Sequence, residues 1–172
     1  MPFHTEKMTF DHSIKVGSDT APIKVVEYIN LRCPDSRDYE LNVAPYLDSY
    51  IEEGSVQRII KHFDKEVREL EKGNLMNQFL DYEDQEKSYP MIHQLFKEQK
   101  KWARNRISQI PHLALDYGLK LEKANQEQAL KVMEEIEAVG VDRIPSVFVG
   151  DHAFIEHISL EEFKKEIESQ LL

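Results

Sequence analysis

The sequence predicts an α/β chain in two halves, β-α-β and then β-β-α, with a helical block between them. Three observations predict it. Short β-branched runs bounded by turn residues gather toward the two ends of the chain. The middle carries apolar residues at helical spacing. The last β pair is followed by one capped amphipathic stretch, which closes the second half. On this reading residues 14–63 and 140–172 form one α/β domain, 64–139 a helical insertion and 1–13 an N-terminal extension.

The elements follow in order. Ile14–Val16 is a first short strand. Ile23–Ile29, Ile-Lys-Val-Val-Glu-Tyr-Ile, is apolar enough for a strand covered on both faces. Leu41, Ala44, Leu47 and Ile51 keep a 3.6-residue rhythm that predicts a helix running to Glu53, kinked at Pro45 and stopped by Gly54. Val56–Phe63 reads as the next strand. In the helical block, Leu75, Phe79 and Tyr82 form one stripe and Ile92, Leu95 and Phe96 begin another. Ile107–Tyr117 reads as a short helix broken at Pro111. Leu121–Val139 is expected to bury Ala129, Leu130, Met133 and Ile136 and to end at Gly140. Ser146–Val149 and Ala153–Ile155 flank a Gly150-Asp151 reversal, a hairpin signal. Ser159 and Glu162 form a capping box before a helix with Leu160, Phe163, Ile167 and Leu171 on one face. This order is that of the thioredoxin fold with a helical subdomain between its halves.

The 172 residues carry 22 Lys and Arg against 32 Asp and Glu, a net charge of −10. A field of that sign repels phosphate, so neither nucleic acid nor a membrane surface is the expected partner. No apolar run approaches the ~18 residues of a membrane span. The chain has one cysteine, Cys33. An internal disulfide and a cysteine-rich zinc site are therefore excluded, and no metal site is expected. The opening residues Met1–Met8 lack a basic segment followed by an apolar one, so a cytoplasmic location is the expectation. Composition leaves the oligomeric state open.

Cys33 follows a buried-type strand and precedes Pro34. Proline suits the first helical position, where its missing N–H costs nothing. Cys33 is thus expected at the N-cap, partly exposed, with helix N–H groups and the positive dipole end facing its sulfur. Such placement lowers a thiol's pKa below the free value of about 8.5 and makes the thiolate available at neutral pH. Arg32 and Arg37 assist and Asp35 opposes. Elsewhere, Lys65, Glu66, Arg68, Glu69, Glu71 and Lys72 read as a solvated face of mixed charge. Lys97, Lys100, Lys101, Arg104 and Arg106 cluster about Trp102, again first a solvated helix face. His62 and His112 read as packing or surface residues, and the spacing of His152 and His157 argues against a metal pair.

The segment Lys24–Ser36, with Glu27 six residues before Cys33-Pro34-Asp35-Ser36, resembles the active-site segment of the DsbA-like family of thioredoxin-fold oxidoreductases. Ile144-Pro145-Ser146-Val147-Phe148-Val149-Gly150 is similar to that family's proline-containing strand segment. The resemblance implies a nucleophilic Cys33 and a buried Glu27 that relays protons near it. It also implies a cis Ile144–Pro145 bond beside the sulfur, and a substrate-binding surface from Pro34, Asp35, Ile144 and Pro145. Ile144 would offer its backbone to an extended substrate peptide.

One departure governs the chemistry. Ser36 stands where the family has its second cysteine, so the dithiol cycle cannot close within one chain. One-cysteine exchange remains, through a mixed disulfide that an outside thiol resolves. A low-molecular-weight thiol such as glutathione or bacillithiol is the implied co-substrate, with no bound cofactor. Protein or small-molecule thiols and disulfides are the implied partners. Ser36 is expected to donate a hydrogen bond to the thiolate. A non-catalytic adaptor on the same fold is the alternative. A kappa-class-like glutathione-dependent transferase or isomerase is a third, disfavoured by the retained cysteine.

Overall fold

Strands form where β-branched residues cluster. In the computed structural model, which describes residues 2–172, β1 is Ile14–Val16, β2 Ile23–Ile29, β3 Val56–His62, β4 Ser146–Val149 and β5 His152–Ile155. They make one five-stranded sheet in the order β1-β3-β2-β4-β5. β2 and β3 run parallel, with Val25 opposite Arg58 and Glu27 opposite Ile60; the other pairings are antiparallel. The parallel pair needs a crossover, and the α-helical segment after Cys33 supplies it.

Side-chain alternation splits the core between the two faces of the sheet. Val25, Val147 and Val149 point to one side and pack with Tyr39, Leu47, Phe163 and Ile167. Val26, Tyr28 and Phe148 point to the other and pack with Val132, Ile136 and Val139. A third cluster joins Ile14, Ile29 and Ile60 of the sheet to Met76, Leu95, Phe96, Trp102 and Ile110 of the helical block. Trp102, the centre of the basic cluster, is therefore a core residue. The N-terminal extension crosses the second face, where Phe3 meets Phe148 edge-on with ring centroids 5.1 Å apart.

The helices are α1 (Pro34–Asn42), α2 (Asp48–Glu52), α3 (Glu71–Asn77), α4 (Gln85–Lys97), α5 (Gln99–Trp102), α6 (Ile110–Asp116), α7 (Asn125–Val139) and α8 (Leu160–Leu171). Three departures from expectation have local causes. The helix expected to run to Glu53 is interrupted by a 3₁₀ turn, Ala44–Leu47. Pro45 removes a donor there, and the chain tightens to i→i+3 bonding, with Tyr46 N–H on Val43 O. Pro111 does not break a helix; it lies in the first turn of α6, where no N–H is needed. In α7 the buried stripe is Asn125, Val132, Ile136 and Val139. Leu130 is 65% exposed, contrary to expectation. It falls next to Ala129 in sequence and so turns about 100° from the stripe.

The apolar stripe of α7 lies on the sheet. Gly140 ends it in the left-handed region, φ 93°. Ser159 caps α8 by accepting from Glu162 N–H, the Ser159 half of the expected capping box.

Candidate active site at the Cys33 loop

β2 ends at Ile29, and the next three residues turn the chain into α1. Cys33 is the N-cap, with extended backbone angles (φ −70°, ψ 123°), and Pro34 is the first helical residue. The Cys33 N–H donates to Asn30 O at 3.0 Å, which closes the turn. The sulfur lies 3.7 Å from Ile144 O, to which the thiol donates. The Ile144–Pro145 bond is cis, and both residues precede β4, whose ladder starts at Ser146. Cys33 is 8% exposed, more enclosed than the sequence suggests, because it belongs to the buried cluster that includes Phe63, Val141 and Ile144.

Four residues that the sequence did not single out for this site hold the loop. Asn30 is fully buried; its amide donates to Phe63 O and Asn74 Oδ1, and its Oδ1 accepts from Arg32 N–H. His62, read from sequence as packing or surface, accepts the Leu31 N–H on Nε2 at 3.0 Å. Its Nδ1 must then carry the proton, which it donates to Asp64 at 2.6 Å. Gln99 of α5 donates to Leu31 O and Cys33 O. Gly73 of α3 packs against the loop so closely that a Cβ there would lie 2.7 Å from Arg32 N and nearer still to Asn30 Oδ1. A loop whose buried backbone groups are satisfied this way is fixed before any substrate arrives.

Ser36 does not play the part expected of it. It is fully buried, and its Oγ accepts from the Asn30 N–H at 3.2 Å instead of approaching the sulfur. The hydroxyl thus ties α1 back to the end of β2. Pro34 is exposed and Asp35 half-buried. Asp35, Glu156 and His157 each place one ligand-type atom within 4.8 Å of the others. Arg143 reaches the Glu156 carboxylate at 3.4 Å. The group therefore forms a charged rim above the helix start, with a guanidinium already engaging one of its carboxylates.

Glu27 lies fully buried in β2, with both oxygens held by Arg58 at 2.7 Å. Arg58 also donates to Glu40 of α1 at 2.7 Å and to the Tyr89 hydroxyl at 3.1 Å. His93 of α4 approaches the second Glu40 oxygen at 3.3 Å. One guanidinium thus faces two carboxylates. Burial pushes the Glu27 carboxyl up, against the pull of Arg58. For Glu40, burial acts upward too, but Arg58 and His93 outweigh it and hold the carboxyl below its ordinary value. The hydrogen bond to Glu40 raises the His93 pKa, against a smaller effect of burial. The ion pair takes both Glu27 oxygens, so Glu27 anchors β3 and α1 to β2.

A thiol at the start of the helix after the central strand, facing a proline-containing turn, defines a thioredoxin-fold site with one sulfur. The chain belongs to the thioredoxin family, whose model matches residues 9–169. It is 24% identical over 179 residues to a probable disulfide bond formation protein D of Bacillus anthracis, covering 96% of this chain and 82% of that one. A solved protein of unknown function from Enterococcus faecalis V583 superposes with a TM-score of 0.91 at 30% identity, covering 96% and 95% of the two chains. Alpha-DsbA1 of Wolbachia pipientis shares the fold, with a TM-score of 0.72, 22% identity and 95% and 92% coverage.

Proposed function

We propose that the protein exchanges thiols and disulfides through Cys33 alone. The observation that carries the reading is the Cys33 sulfur at the start of α1, against the Ile144 carbonyl, in a chain without a second cysteine. The relative named for disulfide bond formation supports the reaction class. The Cys33 thiolate attacks one sulfur of a substrate disulfide. The S–S bond breaks, the departing thiolate takes a proton from solvent, and a mixed disulfide holds the other half on Cys33. An outside thiol then attacks that bond, forms a new disulfide with the bound half and restores the Cys33 thiolate. The proline side of the site, Ile144 and Pro145, together with Pro34 and Asp35, is proposed to seat the substrate chain.

A cytoplasmic location belongs to the same proposal, since a one-cysteine cycle draws on a pool of reduced small thiols. The experiment is turnover of 2-hydroxyethyl disulfide with reduced glutathione, and the Cys33→Ser protein as blank. Activity above the uncatalysed rate that vanishes in Cys33→Ser supports the proposal; equal rates for both proteins overturn it. The 8% exposure of Cys33 favours a second reading, a non-catalytic adaptor on this fold. Equal rates in a folded protein would select it.

A further inference from the structure

Beside the Cys33 loop lies a cleft of about 680 Å³, lined by Arg32, Arg68, Lys72 and Arg106 together with Glu69 and Glu71. It gathers residues that the sequence places far apart, from the loop itself, the entry to α3 and the turn before α6. Its charge is unusual for this molecule. The chain carries −10 overall, yet this cleft sets four cations against two acids. Among the described residues, the arginines held in ion pairs are Arg58 and Arg143. Arg32, Arg68 and Arg106 are thus guanidiniums with no carboxylate partner. Lys72 is turned toward Ala103 O, to which it donates at 2.7 Å. Arg32 is bonded in sequence to Cys33, so their Cα atoms are about 3.8 Å apart.

We infer that this cleft binds a low-molecular-weight thiol bearing carboxylates, which supplies the sulfur that Ser36 cannot. The inference rests on the one-cysteine exchange proposed above and names its second reactant. Guanidinium forks match carboxylates in pairs of hydrogen bonds. The volume falls in the range of about 300–1,000 Å³ typical of small-molecule sites. A substrate carrying the small thiol in a mixed disulfide is then cleaved in two steps. The Cys33 thiolate attacks the small thiol's sulfur; the bond to the substrate sulfur breaks, and that sulfur leaves and takes a proton from water. A second small thiol, deprotonated by solvent, attacks the sulfur now bound to Cys33. The small-thiol disulfide leaves and the Cys33 thiolate returns. One S–S bond is lost from the substrate and one is gained by the small thiol, so atoms and electrons balance.

The test is calorimetric titration with S-methylglutathione, which has both carboxylates and no free thiol, and with its diethyl ester, which lacks them. Three proteins are compared: wild type, Arg32→Gln/Arg68→Gln/Arg106→Gln, and Lys87→Gln/Lys120→Gln/Lys123→Gln, which loses the same charge from exposed positions elsewhere. Wild type and the lysine variant are expected to bind S-methylglutathione alike, and more weakly as salt rises. The arginine variant should bind at least about tenfold more weakly, the scale of one charge-assisted hydrogen bond. Arg68→Gln/Arg106→Gln, at two exposed positions, serves should the triple change unfold the loop. No binding to wild type, equal binding by the arginine variants, or equal binding of the ester overturns the inference. Reaction of wild-type Cys33 with neutral 2-hydroxyethyl disulfide is measured alongside. Binding without that reaction would remove the exchange proposal and leave the anion site standing, so the two failures are distinguishable.

Discussion

Replacing Arg58 with Met should be among the most damaging single changes outside the apolar core. The guanidinium is 1% exposed and bonds both Glu27, fully buried, and Glu40, 4% exposed. Without it two carboxylates remain in the protein interior, Glu40 with only His93 beside it. Breaking a buried ion pair by removing one partner costs about 3–5 kcal/mol. For a chain of this length each kcal/mol moves Tm by roughly 2–4 °C, so a fall of roughly 6–20 °C is expected. Urea unfolding at pH 7 provides the assay, with an unchanged m-value showing that the denatured state is the same. The loss should shrink as pH falls, because burial without Arg58 favours the protonated carboxyls and the stranded groups take up protons in the folded state. Adding Glu27→Gln and Glu40→Gln to Arg58→Met should recover much of the stability, since no buried charge is then left unpaired. A cost below about 1 kcal/mol, the size of a surface ion pair, would refute the reasoning.

Gly73→Ala should cost about 1–3 kcal/mol by overpacking, because the added Cβ meets the Arg32 and Asn30 positions of the loop; it should also alter the Cys33 alkylation rate, read with iodoacetamide. The raised His93 pKa means that its bond to Glu40 stabilises the fold fully below the ordinary histidine value and loses that contribution as pH rises through the raised one. The stability difference between wild type and His93→Gln, followed by urea unfolding across pH, should therefore decline toward alkaline pH, and a difference that grows would contradict the assignment. Ser36→Cys should permit an internal disulfide with Cys33, seen as loss of both thiols to Ellman's reagent after mild oxidation and as insulin-reductase-like turnover.

The fold was legible where local patterns decide it. Ile23–Ile29 and Val56–His62 are β-branched runs with turn residues at their ends, and Gly140 and Ser159 mark helix ends by their own conformations. Pro45 and Pro111 were seen as interruptions, but proline's effect depends on its place in the helix, and one spacing cannot fix where a helix starts. At the site, the placement of Cys33 at the start of α1 and of the cis Ile144–Pro145 bond was readable because each motif lies within a short stretch of chain. Asn30, His62, Gly73 and Gln99 were not. Their contacts to the loop span tens of residues, 31 between Leu31 and His62 and 68 between Leu31 and Gln99. Arg58 left one usable signal, a lone guanidinium in a strand that must pair beside the strand holding Glu27. Ser36 shows the opposite error: a motif position suggested contact with the sulfur, while helix geometry turned the hydroxyl toward Asn30 N–H.

The central claim is that Cys33 acts as a single exchanging sulfur, and trapping its mixed disulfide tests it most directly. The folded protein is incubated at pH 7 with 2-hydroxyethyl disulfide and its intact mass measured, with circular dichroism recorded on the same sample. The account predicts one adduct per chain, absent from Cys33→Ser, removed by added glutathione, with the circular dichroism unchanged. A protein that stays folded and takes up no adduct, or takes one up only as it unfolds, would contradict it.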